Sequence, residues 1–229
     1  MRRSEINSLL SRAKDFIARC GFHLPPFAFW TPEQWAGKGR ECDEIRTNML
    51  GWDVTDFGLG DFERTGLLLF TLRNGNLKEA ANPKPYAEKL LISEESQVTP
   101  MHFHWSKVED IINRAGGKLV IQLYGSTAEE AHDERSPVKV SVDAVVRTVD
   151  AGGEVVLGPG ESITLVRGLY HKFWAQEGSG PVLIGEVSAV NDDRTDNRFR
   201  DEVGRFPSIE EDEPPLHLLC NEYPPAAGG

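Results

Sequence analysis

HFHWSKVEDIINRAG, residues 102–116, places two histidines and a glutamate within eight residues. A β-strand sends successive side chains to opposite faces. In a strand over residues 97–105, His102 and His104 therefore share one face. Phe103 and Trp105 turn to the other, into a packing layer. Two imidazoles on one face can take two neighbouring positions around one metal ion. Glu109 follows past a turn and returns an oxygen donor. Nitrogen and oxygen donors together suit Mn, Fe, Co, Ni or Zn.

Downstream, GESITLVRGLYH (residues 160–171) supplies a second half. Gly160 opens a strand, Gly168 supplies a tight turn, and His171 begins the next strand. That strand-turn-strand unit can swing His171 across a barrel to the same ion. Short β runs surround both stretches: residues 86–92, 97–105, 118–124, 138–149, 162–166 and 181–190. Gly116-Gly117, Gly152-Gly153 and Gly158-Pro159-Gly160 punctuate them. Many short strands with turn signals between them predict a sandwich or barrel.

Towards the N-terminus the periodicity changes. Ile6, Leu9, Leu10, Ala13, Phe16, Ile17 and Cys20 recur at helical spacing, which predicts a helix over 4–20 with Ser4 as cap and Gly21 as stop. Thr31-Pro32-Glu33-Gln34 announces a second, short helix with a capping box. Residues 50–62, LGWDVTDFGLGDF, have loop composition. Residues 67–72 read as a buried strand, followed by an Asn74-Gly75 turn. The acidic run 125–137 reads as an exposed loop or hairpin tip. One domain is expected, divided into a helical and extended segment (1–84), the barrel (85–190) and a charged, proline-rich extension that wraps it (191–229).

Composition narrows the function classes. The chain has 229 residues and a formal net charge of -11. That surface repels phosphate backbones and anionic membranes, and no Lys/Arg run interrupts it. No stretch has the length of a membrane-spanning helix, and charges at Arg12, Lys14 and Asp15 break any signal-peptide pattern. Cys20, Cys42 and Cys220 are odd in number, with no CxxC spacing, as in a reducing compartment. The expected location is the cytoplasm.

The two histidine stretches resemble the cupin superfamily. Its first motif is HxH, three or four residues, Glu, six residues, Gly. His102, His104, Glu109 and Gly116 satisfy it. Ser96 stands where a glycine usually leads. Gly160, Gly168 and His171 fit the second motif, with Val166 in place of its proline and Ala175 in place of its asparagine. A mainly β, cupin-type jelly-roll β-barrel with N-terminal helices and a C-terminal wrapping extension follows from that resemblance.

A closer resemblance covers nearly the whole chain. YAEKLLISEESQVTPMHFHWSKVEDIINRAGG, GLYHKFWAQ, GEVSAVNDDRTDN, FPSIEEDEPPLHLLCNEYP and LGWDVTDFGLGDF are similar to the D-lyxose isomerase family of sugar isomerases. The resemblance implies interconversion of D-lyxose with D-xylulose, and of D-mannose with D-fructose, by a homodimer that uses Mn. Such chemistry needs an ion that binds O1 and O2 of the open-chain sugar, and a base that reaches the carbon-bound proton.

Glu186 lies in IGEVS, in the strand after His171, on the same face as Ile184 and Ser188. A carboxylate on a core-facing position is functional or paired, so Glu186 is the expected base or proton shuttle. Lys89, in a β run ahead of the histidines, is expected to bind or polarise a sugar oxygen. Asp192, Asp193 and Arg205 are candidate hydroxyl ligands. Trp52, Trp105, Phe173 and Trp174 are candidate sugar-facing aromatics. Two other readings use the same metal set: a cupin dioxygenase with Fe or Ni, and a sugar-binding cupin without turnover. The polar set Lys89, Glu186, Asp193 and Arg205 speaks against the first, and the filled ligand set against the second.

Overall fold

The computed structural model describes residues 1–78, 84–192 and 195–227. Three helices come first: α1 (Arg3–Arg19), α2 (Pro32–Ala36) and α3 (Asp43–Thr47). The strands follow as β1 (Gly51–Thr55), β2 (Leu67–Arg73), β3 (Tyr86–Ser93), β4 (Thr99–His104), β5 (Glu109–Gly116), β6 (Leu119–Ser126) and β7 (His132–Asp133). The remainder are β8 (Val138–Val142), β9 (Val145–Val149), β10 (Glu154–Leu157), β11 (Ser162–Leu165), β12 (Tyr170–Ala175), β13 (Val182–Ala189) and β14 (Asn197–Phe199).

Two antiparallel sheets face each other. One has the order β1-β2-β3-β13-β5-β11-β8-β9, the other β10-β6-β12-β4-β14, with β7 on β6. Leu69, Ile111, Ile121, Val140, Phe173 and Ile184 come from both sheets and fill the space between them. The mainly β barrel with N-terminal helices is thus the observed fold.

A second core covers the outside of the larger sheet. Ile6, Leu10 and Ile17 of α1 pack there on Trp52, Leu68, Phe70, Leu90 and Leu183. This explains the unbroken apolar run of β2. Leu67 and Leu69 face the inner core, while Leu68, Phe70 and Leu72 face α1. A strand buried on both faces needs apolar residues at every position.

Several local expectations change. Residues 51–55 form a strand, not a loop, paired with β2 from Gly51↔Thr71 to Thr55↔Leu67. Its residues alternate: Trp52 and Val54 face the α1 core, while on the other side Asp53 and Thr55 each line a cavity. Asn74-Gly75 is not a tight hairpin turn. The Asn74 side chain instead holds the Asn191 backbone, donating to its carbonyl (2.9 Å) and accepting from its N–H (3.0 Å). Arg2, not Ser4, caps α1, with Glu5 Oε2 accepting the Arg2 N–H at 2.7 Å. Ser4 Oγ donates to Asp212 at 2.6 Å. The capping box at Thr31 and Gln34 forms as expected.

The glycine punctuation has physical cause at Gly116. Its φ is +96°, and a Cβ there would sit 2.2 Å from the Pro181 carbonyl oxygen. Ser96, where a glycine usually leads, itself adopts φ +59°. The left-handed turn is retained at the cost of a Cβ, roughly 1–2 kcal/mol.

Candidate active site and metal centre

The three histidines come from adjacent strands of the smaller sheet. His102 and His171 are direct cross-strand partners on β4 and β12, and His104 lies two residues along β4. Their ring centroids are 4.2 Å (His102–His171), 5.0 Å (His102–His104) and 5.5 Å (His104–His171) apart. Nitrogens of the three lie within 4.8 Å of one another.

Each ring is held by a backbone carbonyl. Nδ1 of His102 meets Pro100 O at 2.7 Å, that of His104 meets Asp196 O at 3.1 Å, and that of His171 meets Leu169 O at 2.9 Å. A carbonyl only accepts, so each Nδ1 carries a proton and each Nε2 is left facing the common centre. This is how metal-binding histidines are oriented. His171 Nε2 is buried and takes no hydrogen bond. His102 titrates well below an ordinary imidazole, because burial and then the neighbouring His171 and His104 disfavour its cation. A buried, convergent donor set with one nitrogen unpartnered fits a divalent ion.

Glu109 reaches this cluster from the opposite sheet. Its Oε1 is 3.3 Å from His104 Nε2 and 3.2 Å from His171 Nε2, while Oε2 is 2.7 Å from Lys107 Nζ. Burial works to raise its pKa. The Lys107 ammonium and His104 outweigh burial and hold Glu109 well below the usual carboxylate range. It therefore stands beside the three histidines as an anion.

The larger sheet also brings Lys89 and Glu186 together, as register partners on β3 and β13. Both are buried. Glu186 Oε1 is 2.9 Å from Lys107 Nζ, 3.3 Å from Lys89 Nζ and 3.2 Å from the Ser188 hydroxyl that donates to it. Lys89 Nζ donates to Asn191 Oδ1 at 2.7 Å. A cavity of about 60 Å³ is lined by Lys89, His102, His104, Lys107, Glu109, Glu186 and Arg205.

Arg205 pairs with the buried Asp53, and a larger adjoining cavity of about 300 Å³ meets the same arginine. Asp192 lines only that larger cavity. Asp193, expected to bind substrate, lies outside the described residues. Of the four aromatics, Phe173 alone lines the smaller cavity. Trp52 is buried in the α1 core and donates its indole N–H to Ala28 O. Trp105 does not join a packing layer: it is 44% exposed, stands perpendicular to Phe103, and donates its indole N–H to Glu130 Oε1 at 2.8 Å. Phe57 and Phe199 supply the other aromatic walls.

Lys107 was not legible beforehand, although it stands in the first motif. Strand alternation stops at Trp105, so period 2 says nothing of where the next side chains point. Asp196 is a second residue of this kind. Its carboxylate accepts the N–H of Ser106 (2.6 Å) and of Lys107 (2.9 Å), while its own carbonyl holds His104. The two motifs are tied together as well. Gly168 N–H donates to His104 O at 3.0 Å, and Arg167 Nε to Ser106 O at 2.6 Å. The turn at Val166 closes without the proline, by the Leu169 N–H to Val166 O bond of 3.2 Å.

Comparison with known proteins sets this site in a family. Residues 1–223 match the family model described as D-lyxose isomerase. A Serratia proteamaculans protein named D-lyxose/D-mannose isomerase is 50% identical over 224 residues, 97% of this chain and 98% of that one. A protein of the same name from Escherichia coli O157:H7 is 48% identical over 97% of this chain and 98% of its own. Among solved structures, L-ribose isomerase of Acinetobacter sp. DL28 in complex with L-ribose superposes with a TM-score of 0.61 at 14% identity, over 91% of this chain and 98% of that one. The L-ribose isomerase of Cellulomonas parahominis gives 0.59 at 18% identity, over 92% and 98%. These structural likenesses bear on the fold. The sequence matches decide the rest: the chain belongs to the D-lyxose isomerase family and is an isomerase.

Proposed function

We propose that this protein interconverts D-lyxose with D-xylulose, and D-mannose with D-fructose, at the cavity between the two sheets. The observation that carries the proposal is the meeting of two sets of side chains. The smaller sheet presents three buried imidazoles with convergent Nε2 atoms. The larger sheet presents Glu109, Glu186 and Lys89 opposite them. The names of the relatives support the sugars.

His102, His104 and His171, with Glu109 as fourth donor, would hold one divalent ion. When bound, such an ion supplies a Lewis acid for the O1 and O2 end of the open-chain sugar. The nitrogen and oxygen donors suit Mn, which the family resemblance favours, and also Co, Ni, Fe or Zn. The remaining chemistry belongs to the chain. Aldose–ketose exchange moves one hydrogen between C2 and C1 and one proton between the two oxygens. Glu186 is the proposed base for the carbon-bound proton. Its Oε1 is held by Lys107, Lys89 and Ser188, which fixes the carboxylate at the cavity wall. Lys107 lies within 2.9 Å of Glu186 and 2.7 Å of Glu109, placed to exchange a proton between the base and the oxygen end. Lys89 and Arg205 are the proposed ligands of sugar hydroxyls, as is Asp193.

A cytoplasmic homodimer completes the reading. The family resemblance supports the dimer, and the three widely spaced cysteines support a reducing compartment. Among the described residues, no helix is long and apolar enough to cross a membrane.

The test strips the protein with EDTA, restores Mn and assays ketose from D-lyxose and D-mannose. Mn-dependent D-xylulose, lost together with bound metal in His104→Ala, is the expected result. No ketose with any divalent metal, from folded protein that binds metal, would refute the proposal.

A further inference from the structure

Thr99 is buried, 3% exposed, and its hydroxyl takes no hydrogen bond. Strict alternation from His102 would send Thr99 to the opposite face, towards Met101 and Phe103. The strand does not alternate there. His171 pairs with His102 and Phe173 with Thr99, so β4 spends three residues where β12 spends two. The extra residue is a β-bulge, a device that re-aims a side chain. It returns Thr99 to the face of His102, and Thr99 lines the same cavity as His102, Lys89 and Glu186.

A buried hydroxyl without a partner is an exception that requires a cause, since leaving it unmade costs what a hydrogen bond would recover. Its cross-strand partner Phe173 offers it nothing. Valine would fill the same space in a strand at lower cost. We infer that Thr99 determines specificity: its hydroxyl binds a hydroxyl group of the open-chain sugar remote from the reacting carbons, at C4 or beyond. The inference rests on the sugar-isomerase reading above. Three residues of strand separate Thr99 from His102, no more than about 10 Å. A polyol whose O1 and O2 sit at the histidines extends its far hydroxyls over that interval.

The test compares Thr99→Val and Thr99→Ser with the parent protein, all loaded with Mn, on D-mannose and on its 4-deoxy, 5-deoxy and 6-deoxy analogues. Thr99→Val is expected to lower kcat/KM for D-mannose about 3- to 10-fold, the worth of one neutral hydrogen bond, chiefly through KM. On the analogue lacking the hydroxyl that Thr99 meets, the same substitution changes nothing. Thr99→Ser restores the parent value. Thermal stability of Thr99→Val is expected to equal or exceed the parent's, because the substitution removes an orphaned polar group. An unchanged kcat/KM on D-mannose would overturn the inference. So would an equal loss on all three deoxy sugars, or a fall in melting temperature that accompanies the loss and marks a structural hydroxyl. A parent protein that turns over no aldose sinks the isomerase reading and this inference with it.

Discussion

The shortest contact of the Glu186 carboxylate, the proposed base, is with Lys107 at 2.9 Å, and both side chains are buried. Two buried lysines, Lys89 and Lys107, face two buried carboxylates, Glu109 and Glu186, so the cavity is close to neutral despite its charge density. Such an arrangement is costly to break and gives each group a fixed direction. Glu186→Gln keeps the shape of the side chain and removes its capacity to take a proton. It should lower kcat on D-lyxose by about 10²- to 10⁴-fold with KM nearly unchanged. Steady-state kinetics with Mn present checks it. A fall confined to KM would show that Glu186 binds the sugar without acting as base.

Between residues and sheets lies the link over residues 105–108, which joins β4 to β5. It carries Lys107 and spaces His104 from Glu109. Its conformation is held from outside by Asp196, Arg167 and Gly168. Asp196→Ala would leave the N–H groups of Ser106 and Lys107 without their acceptor, and would loosen the carbonyl that orients His104. Partners of metal-binding histidines are worth about 10- to 100-fold in affinity. A competition titration of Mn against a chelating dye should therefore show a loss of that order. Amide exchange at Ser106 and Lys107 should accelerate in the same variant. Unchanged exchange with weakened metal binding would place the effect on His104 alone. The element scale also explains a limit of sequence reading. Period 2 predicts faces within a strand and nothing across a four-residue link, so Lys107 was invisible while His102 and His104 were plain. The bulge that re-aims Thr99 hides in the same way, since register belongs to two strands at once.

Over the whole molecule, the two chain ends close on each other. Arg3 is buried and pairs with Glu211 at 2.6 Å and Glu222 at 2.5 Å. His217 bridges α1 and the segment before α2: Lys14 Nζ donates to its Nε2 at 2.8 Å, and its Nδ1–H donates to Trp30 O at 3.0 Å. Burial, and to a lesser degree the Lys14 charge, pushes His217 below the ordinary imidazole pKa, against the Trp30 carbonyl, which raises it. The unfolded chain takes up the proton near pH 6.5, whereas the folded chain refuses it until lower pH. This residue therefore lowers stability as pH falls through the unfolded value, down to the folded one, and contributes no slope above neutrality. His217→Gln should flatten the acid limb of stability between about pH 7 and pH 5. Urea unfolding across that range checks it. An unaltered slope would mean that His217 does not titrate between the two states.

What the sequence determined by itself was local and periodic. Alternation put His102 and His104 on one face, spacing put Glu109 and His171 within reach, and capping residues marked α2. Apolar runs marked most of the strands. These signals are legible because they depend on a backbone period and on residue chemistry. Tertiary structure decided what depends on two distant segments meeting. It turned residues 51–55 into a strand whose polar residues line cavities, and left Trp105 at the surface. It made Asn74 a clamp on Asn191, and set Lys107 between two carboxylates that belong to different strands. The physical reason is that burial and charge pairing are properties of a position in space. A strand carries its own period along the chain, but only its register against other strands decides which of its side chains share a cavity.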